Sequence, residues 1–231
     1  MNGFDPAPPS AVIFDLDGTL VDSAQDIADA LDTLLVRHRR PALGVAAARR
    51  LIGDGAATLV ARAFAATGGA PADASALASE YLAIYEASVA AATRPYPGVP
   101  ETLARLADAG LALAVCTNKA TAATRRLLDA VGLAAFFPVV IGGDGGARKP
   151  DPAPVRRALA GLSASPKHAL MVGDSKNDVA AARGAGVPVV VVSYGYTETP
   201  PEALGADAVI ARFADLVPRL LSRAPSSAPG R

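Results

Sequence analysis

The sequence predicts an α/β fold, a three-layer Rossmann-like parallel sheet core carrying an inserted all-helical domain. Three observations lead there. Short apolar runs alternate with helical stretches from residue 99 onward. Several of those runs end in turns that carry acidic, hydroxyl or lysine side chains. One long helical region, Ala24 to Ala92, separates the first apolar run from the others and shows almost no strand pattern.

Ala11–Phe14 (AVIF) is an apolar run that stops at an acidic, glycine-containing turn, the pattern of a strand covered on both faces. Ser23 then opens a helical stretch, with Asp26 three residues on as a capping-box-like pair. Helical periodicity continues to about Thr93. Arg94-Pro95-Tyr96-Pro97-Gly98 breaks it, as clustered Pro and Gly do. Beyond lie the strands Leu111–Cys116, Val139–Ile141, Ala169–Val172 and Val187–Val192, with a weaker one at Ala208–Ile210. Strands that alternate with helices build a parallel sheet covered by those helices. The expected division is an α/β core from 10–23 and 93–221, a helical domain over 24–92, and flexible tails at 1–9 and 222–231. The last tail is rich in Ser, Pro and Ala.

The 231 residues are 51% hydrophobic, enough for a sizeable core. Lys and Arg number 22, as do Asp and Glu, so nothing in the charge balance recruits nucleic acid or an acidic membrane. The one cysteine, Cys116, rules out an intrachain disulfide and fits a reducing compartment. Met1–Ser10 lacks a basic stretch followed by an apolar run, and no stretch reads as a membrane span. A cytoplasmic monomer or homodimer is expected, without nucleic-acid or membrane partners.

Ligands of an open parallel sheet bind beyond the carboxyl ends of its strands. Past the first strand come Asp15-Leu16-Asp17-Gly18-Thr19-Leu20, and past the second Thr117-Asn118-Lys119. Lys149-Pro150 follows the third across a glycine-rich loop, and Gly173-Asp174-Ser175-Lys176-Asn177-Asp178 follows the fourth. Asp15, Asp17 and Asp174 gathered at one edge need a cation. Oxygen ligands without a His or Cys cluster suit a hard ion, Mg²⁺. Lys149 and the Thr117 hydroxyl would add charge and a donor suited to a phosphoryl group. Competing chemistries lack their residues. No G-x-x-x-x-G-K-[ST] loop and no His-Glu-x-x-His occurs, and Gly53-Asp54-Gly55 follows no strand.

These motifs resemble the haloacid dehalogenase superfamily: FDLDGTLVDS at 14–23 is similar to its first motif, Thr117 to its second, Lys149 to its third and GDSKND at 173–178 to its fourth. The resemblance implies a Mg²⁺-dependent phosphatase that acts on a small phosphate monoester. Asp15 would be the nucleophile that becomes an aspartyl-phosphate, and Asp17 the general acid and then the base. Asp15, the Asp17 carbonyl and Asp174 would hold Mg²⁺, and Asp178 would orient the metal's water shell. Thr117, Asn118 and Lys149 would hold phosphate. The helical insertion would be a mobile cap.

Within the superfamily, RRLIGDGA at 49–56, RPYPGV at 94–99, LAVCTNK at 113–119, RKPDPAP at 148–154 and VSYGY at 192–196 resemble the phosphoglycolate phosphatase group. That resemblance implies hydrolysis of 2-phosphoglycolate, with another sugar phosphate or nucleotide monoester as the alternative. Asp17 argues against a dehalogenase. The lysine-free segment before Lys119 argues against a phosphonate-cleaving relative or a phosphomutase. Arg49 and Arg50, before the Ile52–Gly55 turn, are candidates for the substrate carboxylate. Asp22 reads as a helix-start residue, Lys119 and Lys176 as loop or helix-start charges, His38 and His168 as structural, and Cys116 as core.

Overall fold

The computed structural model describes residues 9–70 and 73–221. Apart from Pro9, the tails expected at 1–9 and 222–231 lie outside the described residues. Six parallel strands form one sheet: β1 (Ala11–Phe14), β4 (Ala112–Cys116), β5 (Val139–Ile141), β6 (Ala169–Gly173), β7 (Val189–Val192) and β8 (Ala208–Ile210). Their spatial order is β5-β4-β1-β6-β7-β8. Chain order therefore reverses direction at β1, which pairs with β4 on one side and β6 on the other, Phe14 opposite both Val115 and Val172. Such a switch point leaves a crevice at the strands' carboxyl ends.

Side chains alternate across a strand, so each strand feeds two cores. Val12, Phe14, Val115, Val172 and Val190 pack with Leu103 of α5 (Val99–Asp108), Leu127 of α6 (Thr121–Ala130) and Leu216 of α9 (Leu216–Leu221). Ile13, Ala114, Met171, Val189 and Val191 pack with Val155 of α7 (Ala153–Gly161) and Val179 of α8 (Lys176–Ala185). Both faces of the sheet are covered, which is why the strands read as continuous apolar runs. Strand β7 starts at Val189 rather than Val187. Pro188 has no N–H to place in the ladder, and its carbonyl accepts from Met171.

Among the described residues, four helices lie between residues 23 and 93: α1 (Ala24–Arg37), α2 (Gly44–Arg49), α3 (Ala56–Ala66) and α4 (Ala74–Ala87). They enclose a third cluster around Leu31, Leu34, Val60, Phe64, Tyr81 and Tyr85, joined by Ala123 of α6. The segments entering and leaving the insertion pair as a two-residue antiparallel ribbon, β2 (Val21–Asp22) with β3 (Arg94–Pro95). The capping-box pair expected at Ser23 and Asp26 does not form. The buried carboxylate of Asp26 accepts instead from the amides of Ala92 (2.8 Å) and Thr93 (2.9 Å) and from the Thr93 hydroxyl (2.5 Å). It thereby satisfies three donors on the returning segment, where a capping box would satisfy one. No helix among the described residues is long and apolar enough to cross a membrane.

Candidate active site

Asp15 is the first residue past β1, Thr117 the first past β4 and Asp174 the first past β6. The sheet register sets these three side by side. Gly18 makes the turn after Asp15 possible. Its φ is +88°, and a Cβ there would lie 2.5 Å from Asp174 Oδ2. The chain can thus fold back tightly enough to bring Asp17 beside Asp15. All four residues line one cleft of about 270 Å³ between the sheet's carboxyl edge and the inserted helices, together with Lys149.

Lys149 is buried, and its ammonium donates to Asp15 Oδ1 (2.7 Å), Asp178 Oδ1 (2.6 Å) and the Cys116 carbonyl (2.7 Å). Burial disfavours its charge, but Asp15 and Asp178 outweigh that and hold the ammonium protonated above the ordinary lysine range. Asp15 has the opposite problem. Burial pushes its carboxyl up to about 7, against the pull of Lys149, and Asp178 adds to the rise. Asp174 is raised well above the ordinary range by burial and by the carboxylates of Asp178 and Asp15.

Oxygens of Asp15, Asp174 and Asp178 lie within 4.8 Å of one another. With Asp17, the site holds four carboxylates against two ammoniums, Lys149 and Lys119. The balance of two negative charges, and the raised carboxyls, match a divalent cation bound through oxygen. Of the three clustered carboxylates, Asp178 is the least free to ligate. Its Oδ1 takes Lys149, and its Oδ2 accepts from the amides of Asp174 and Ser175 and from the Ser175 hydroxyl in a capping box that starts α8. In the structure it positions Lys149 and the Asp174 loop.

Asp17 is oriented by two groups that sequence reasoning missed. Ser23 Oγ donates to its Oδ1 (2.5 Å), and Lys119 Nζ lies 3.2 and 3.3 Å from its two oxygens. Lys119, expected as a loop or helix-start charge near the phosphate site, does stand on the loop past β4, with its side chain turned in against Asp17 and only 10% exposed. Thr117 is buried, and its Oγ accepts the Lys119 amide (3.2 Å), which leaves the hydroxyl proton to donate. Asn118, expected on phosphate, spends its amide otherwise. Nδ2 donates to the carbonyls of Gly53 and Lys149 (2.8 Å each), and Oδ1 accepts from the Lys149 amide (2.9 Å). It aims Lys149 and ties the inserted helices to the core. Asn177 adds a second tie, donating to Asp54 Oδ1 at 2.6 Å.

Neither Arg49 nor Arg50 bonds to Asp15, Asp17 or Asp174 among the described residues. Arg49 stacks on the Tyr196 ring, 4.7 Å from its centroid. Arg50 pairs with Glu198 (3.0 Å) and is two-thirds exposed where it lines the cleft. Tyr196 is itself a junction. Its amide donates to Asp174 Oδ2, and its hydroxyl accepts from the Ser23 amide (2.7 Å) and donates to Asp22 Oδ1 (2.8 Å). His38 and His168 stand outside the site, paired with Glu80 and Ser165.

A family model described as haloacid dehalogenase-like hydrolase matches residues 12–192. A phosphoglycolate phosphatase of Caulobacter vibrioides is 47% identical over 211 residues, 90% of this chain and 89% of that protein. One from Rhodospirillum rubrum is 49% identical over 215 residues, with 90% and 89% covered. Among solved structures, a predicted phosphoglycolate phosphatase from Haemophilus somnus superposes with a TM-score of 0.86 at 32% identity, over 91% of this chain and 97% of that one. CbbY from Rhodobacter sphaeroides, solved in complex with phosphate, gives 0.79 at 28% identity, over 90% and 96%.

Proposed function

The chain belongs to the haloacid dehalogenase-like hydrolase family, and from that premise we propose that it hydrolyses 2-phosphoglycolate to glycolate and phosphate. One observation carries the reading: Asp15, Asp17, Lys149 and Asp174, from three separate loops, meet at the carboxyl edge of the sheet. The names of relatives spanning nine-tenths of the chain support the choice of substrate.

In this reading Asp15 attacks phosphorus. Lys149 holds its Oδ1, which leaves Oδ2 without a hydrogen bond among the described residues. The new bond joins that oxygen to phosphorus, and the bond from phosphorus to the glycolate oxygen breaks. Asp17, steadied by Ser23, gives a proton to the departing oxygen. It then takes a proton from the water that cleaves the aspartyl-phosphate, and inorganic phosphate leaves. The Thr117 hydroxyl holds a phosphoryl oxygen, and the Lys149 ammonium, whose three protons go to Asp15, Asp178 and the Cys116 carbonyl, supplies positive charge beside it. Asp15, Asp174 and the main-chain carbonyl of Asp17 would hold Mg²⁺, which would supply positive charge to offset that of the phosphoryl group. Asn118 and Asn177 hold the inserted helices down as a cap over the cleft and exclude bulk water.

The test is kcat/KM across 2-phosphoglycolate, sugar phosphates, nucleotides and pyrophosphate. Phosphoglycolate is expected to give the highest value, and a higher value for any other member would overturn the substrate assignment.

A further inference from the structure

The leaving group of the proposed reaction carries a carboxylate one methylene away from the oxygen that Asp17 protonates. Whatever recognises that carboxylate must therefore lie beside Asp17. Neither Arg49 nor Arg50 bonds to Asp17 among the described residues; one stacks on Tyr196 and the other pairs with Glu198. Lys119 lies beside Asp17. Its ammonium is within hydrogen-bond reach of both Asp17 oxygens and lines the cleft, and its side chain is only 10% exposed.

Two features fix that ammonium in place. Lys119 stands on the loop past β4, one residue beyond Asn118, whose side chain is fully bonded. From the other side, Tyr85 of α4 presents its ring, with Nζ 4.3 Å from the centroid, and Tyr81 stacks behind at 6.1 Å. A desolvated cation over a tyrosine face is held by the ring's quadrupole. An ammonium has three protons, and at most two go to the Asp17 oxygens. At least one remains to donate. The Tyr85 hydroxyl is buried and has no hydrogen-bond partner among the described residues.

We propose that Lys119, seated on the Tyr85 ring, is the residue that recognises the carboxylate of the leaving group. The assignment rests on the phosphoglycolate reading. It also places recognition across the junction of two parts of the molecule, because Lys119 comes from the sheet edge and Tyr85 from the inserted helices. Substrate charge would then be read only with the inserted helices closed on the core.

The test compares kcat/KM on 2-phosphoglycolate with that on 2-hydroxyethyl phosphate, in which a neutral CH₂OH replaces the carboxylate. Lys119 also touches Asp17, so substitution slows both substrates, and the ratio between them isolates the carboxylate. Lys119→Met is expected to lower that ratio by on the order of 10²-fold, the scale of a desolvated charged hydrogen bond. Lys119→Arg is expected to keep most of it. Lys119→Gln is read in the same way if the methionine variant folds poorly. A ratio unchanged by the neutral variants overturns the assignment while leaving the substrate reading intact. A parent enzyme with no preference between the two compounds overturns the substrate reading, and the assignment with it.

Discussion

The amide of Tyr196 donates to Asp174 Oδ2 across 2.6 Å. The same residue reaches through its hydroxyl to Ser23 and Asp22, where the chain leaves the core for the inserted helices. One residue thus joins a candidate metal ligand to the start of the inserted helices, and its ring carries Arg49 from those helices.

Tyr196→Phe keeps the amide and the ring and removes the hydroxyl. The Ser23 amide and Asp22 then lose a partner in a buried setting, which costs about 1–3 kcal/mol. Urea denaturation measures this. A variant as stable as the parent would show that this contact is unimportant to the fold.

Asp15→Asn is expected to abolish turnover while raising the stability of the Mg²⁺-free protein. Burial lifts the Asp15 carboxyl from its ordinary 3.8 to about 7. Between those values the folded chain keeps a proton that the unfolded chain releases. Stability from this group is therefore full below about 4, falls as pH rises, and is lost above about 7. The asparagine variant escapes that loss, so its Tm advantage should be present at pH 8 and shrink toward pH 4. Thermal denaturation in chelator across that range decides the matter, and an advantage that grows toward acid would contradict it.

Asp17→Asn leaves a side chain that still accepts from Ser23 but cannot exchange the proton. Turnover should drop on the order of 10²-fold or more, the usual scale for a general acid–base residue. Single-turnover kinetics checks this, and a normal rate would remove Asp17 from proton transfer.

Magnesium should raise Tm in the absence of substrate. A ligand that binds only the folded state stabilises by about 2.7 kcal/mol at 100 times its Kd. Asp174→Asn should abolish most of that rise. A parent Tm indifferent to millimolar Mg²⁺ would rule out the cation site.

The layout of the sheet was legible in the residues themselves. Strands such as Ala11–Phe14 and Ala169–Gly173 are buried on both faces, so they appear as unbroken apolar runs whatever packs on them. Asp15, Thr117 and Asp174 were legible for the same reason, since each stands directly past such a run and a parallel sheet gathers its strand ends along one edge. Lys149 stood out through its place in a motif.

Other assignments depended on which surfaces meet. Ser23 and Asp26 match a capping box in one dimension. In three, the Asp17 carboxylate takes the Ser23 hydroxyl and the amides of Ala92 and Thr93 take the Asp26 carboxylate. Lys119 has the local sequence of a loop charge, and only the packing of α4 against the β4 loop buries it beside Asp17 under Tyr85. Asn177 and Tyr196 carry no chemical signal of their own, and their partners lie 123 and 174 residues away. The sequence alone therefore determined where the clustered carboxylates stand, because strand ends are set by local hydrophobic pattern. The tertiary structure decided what orients Asp17 and what seats Lys119 beside it, because those contacts exist only where the inserted helices meet the sheet.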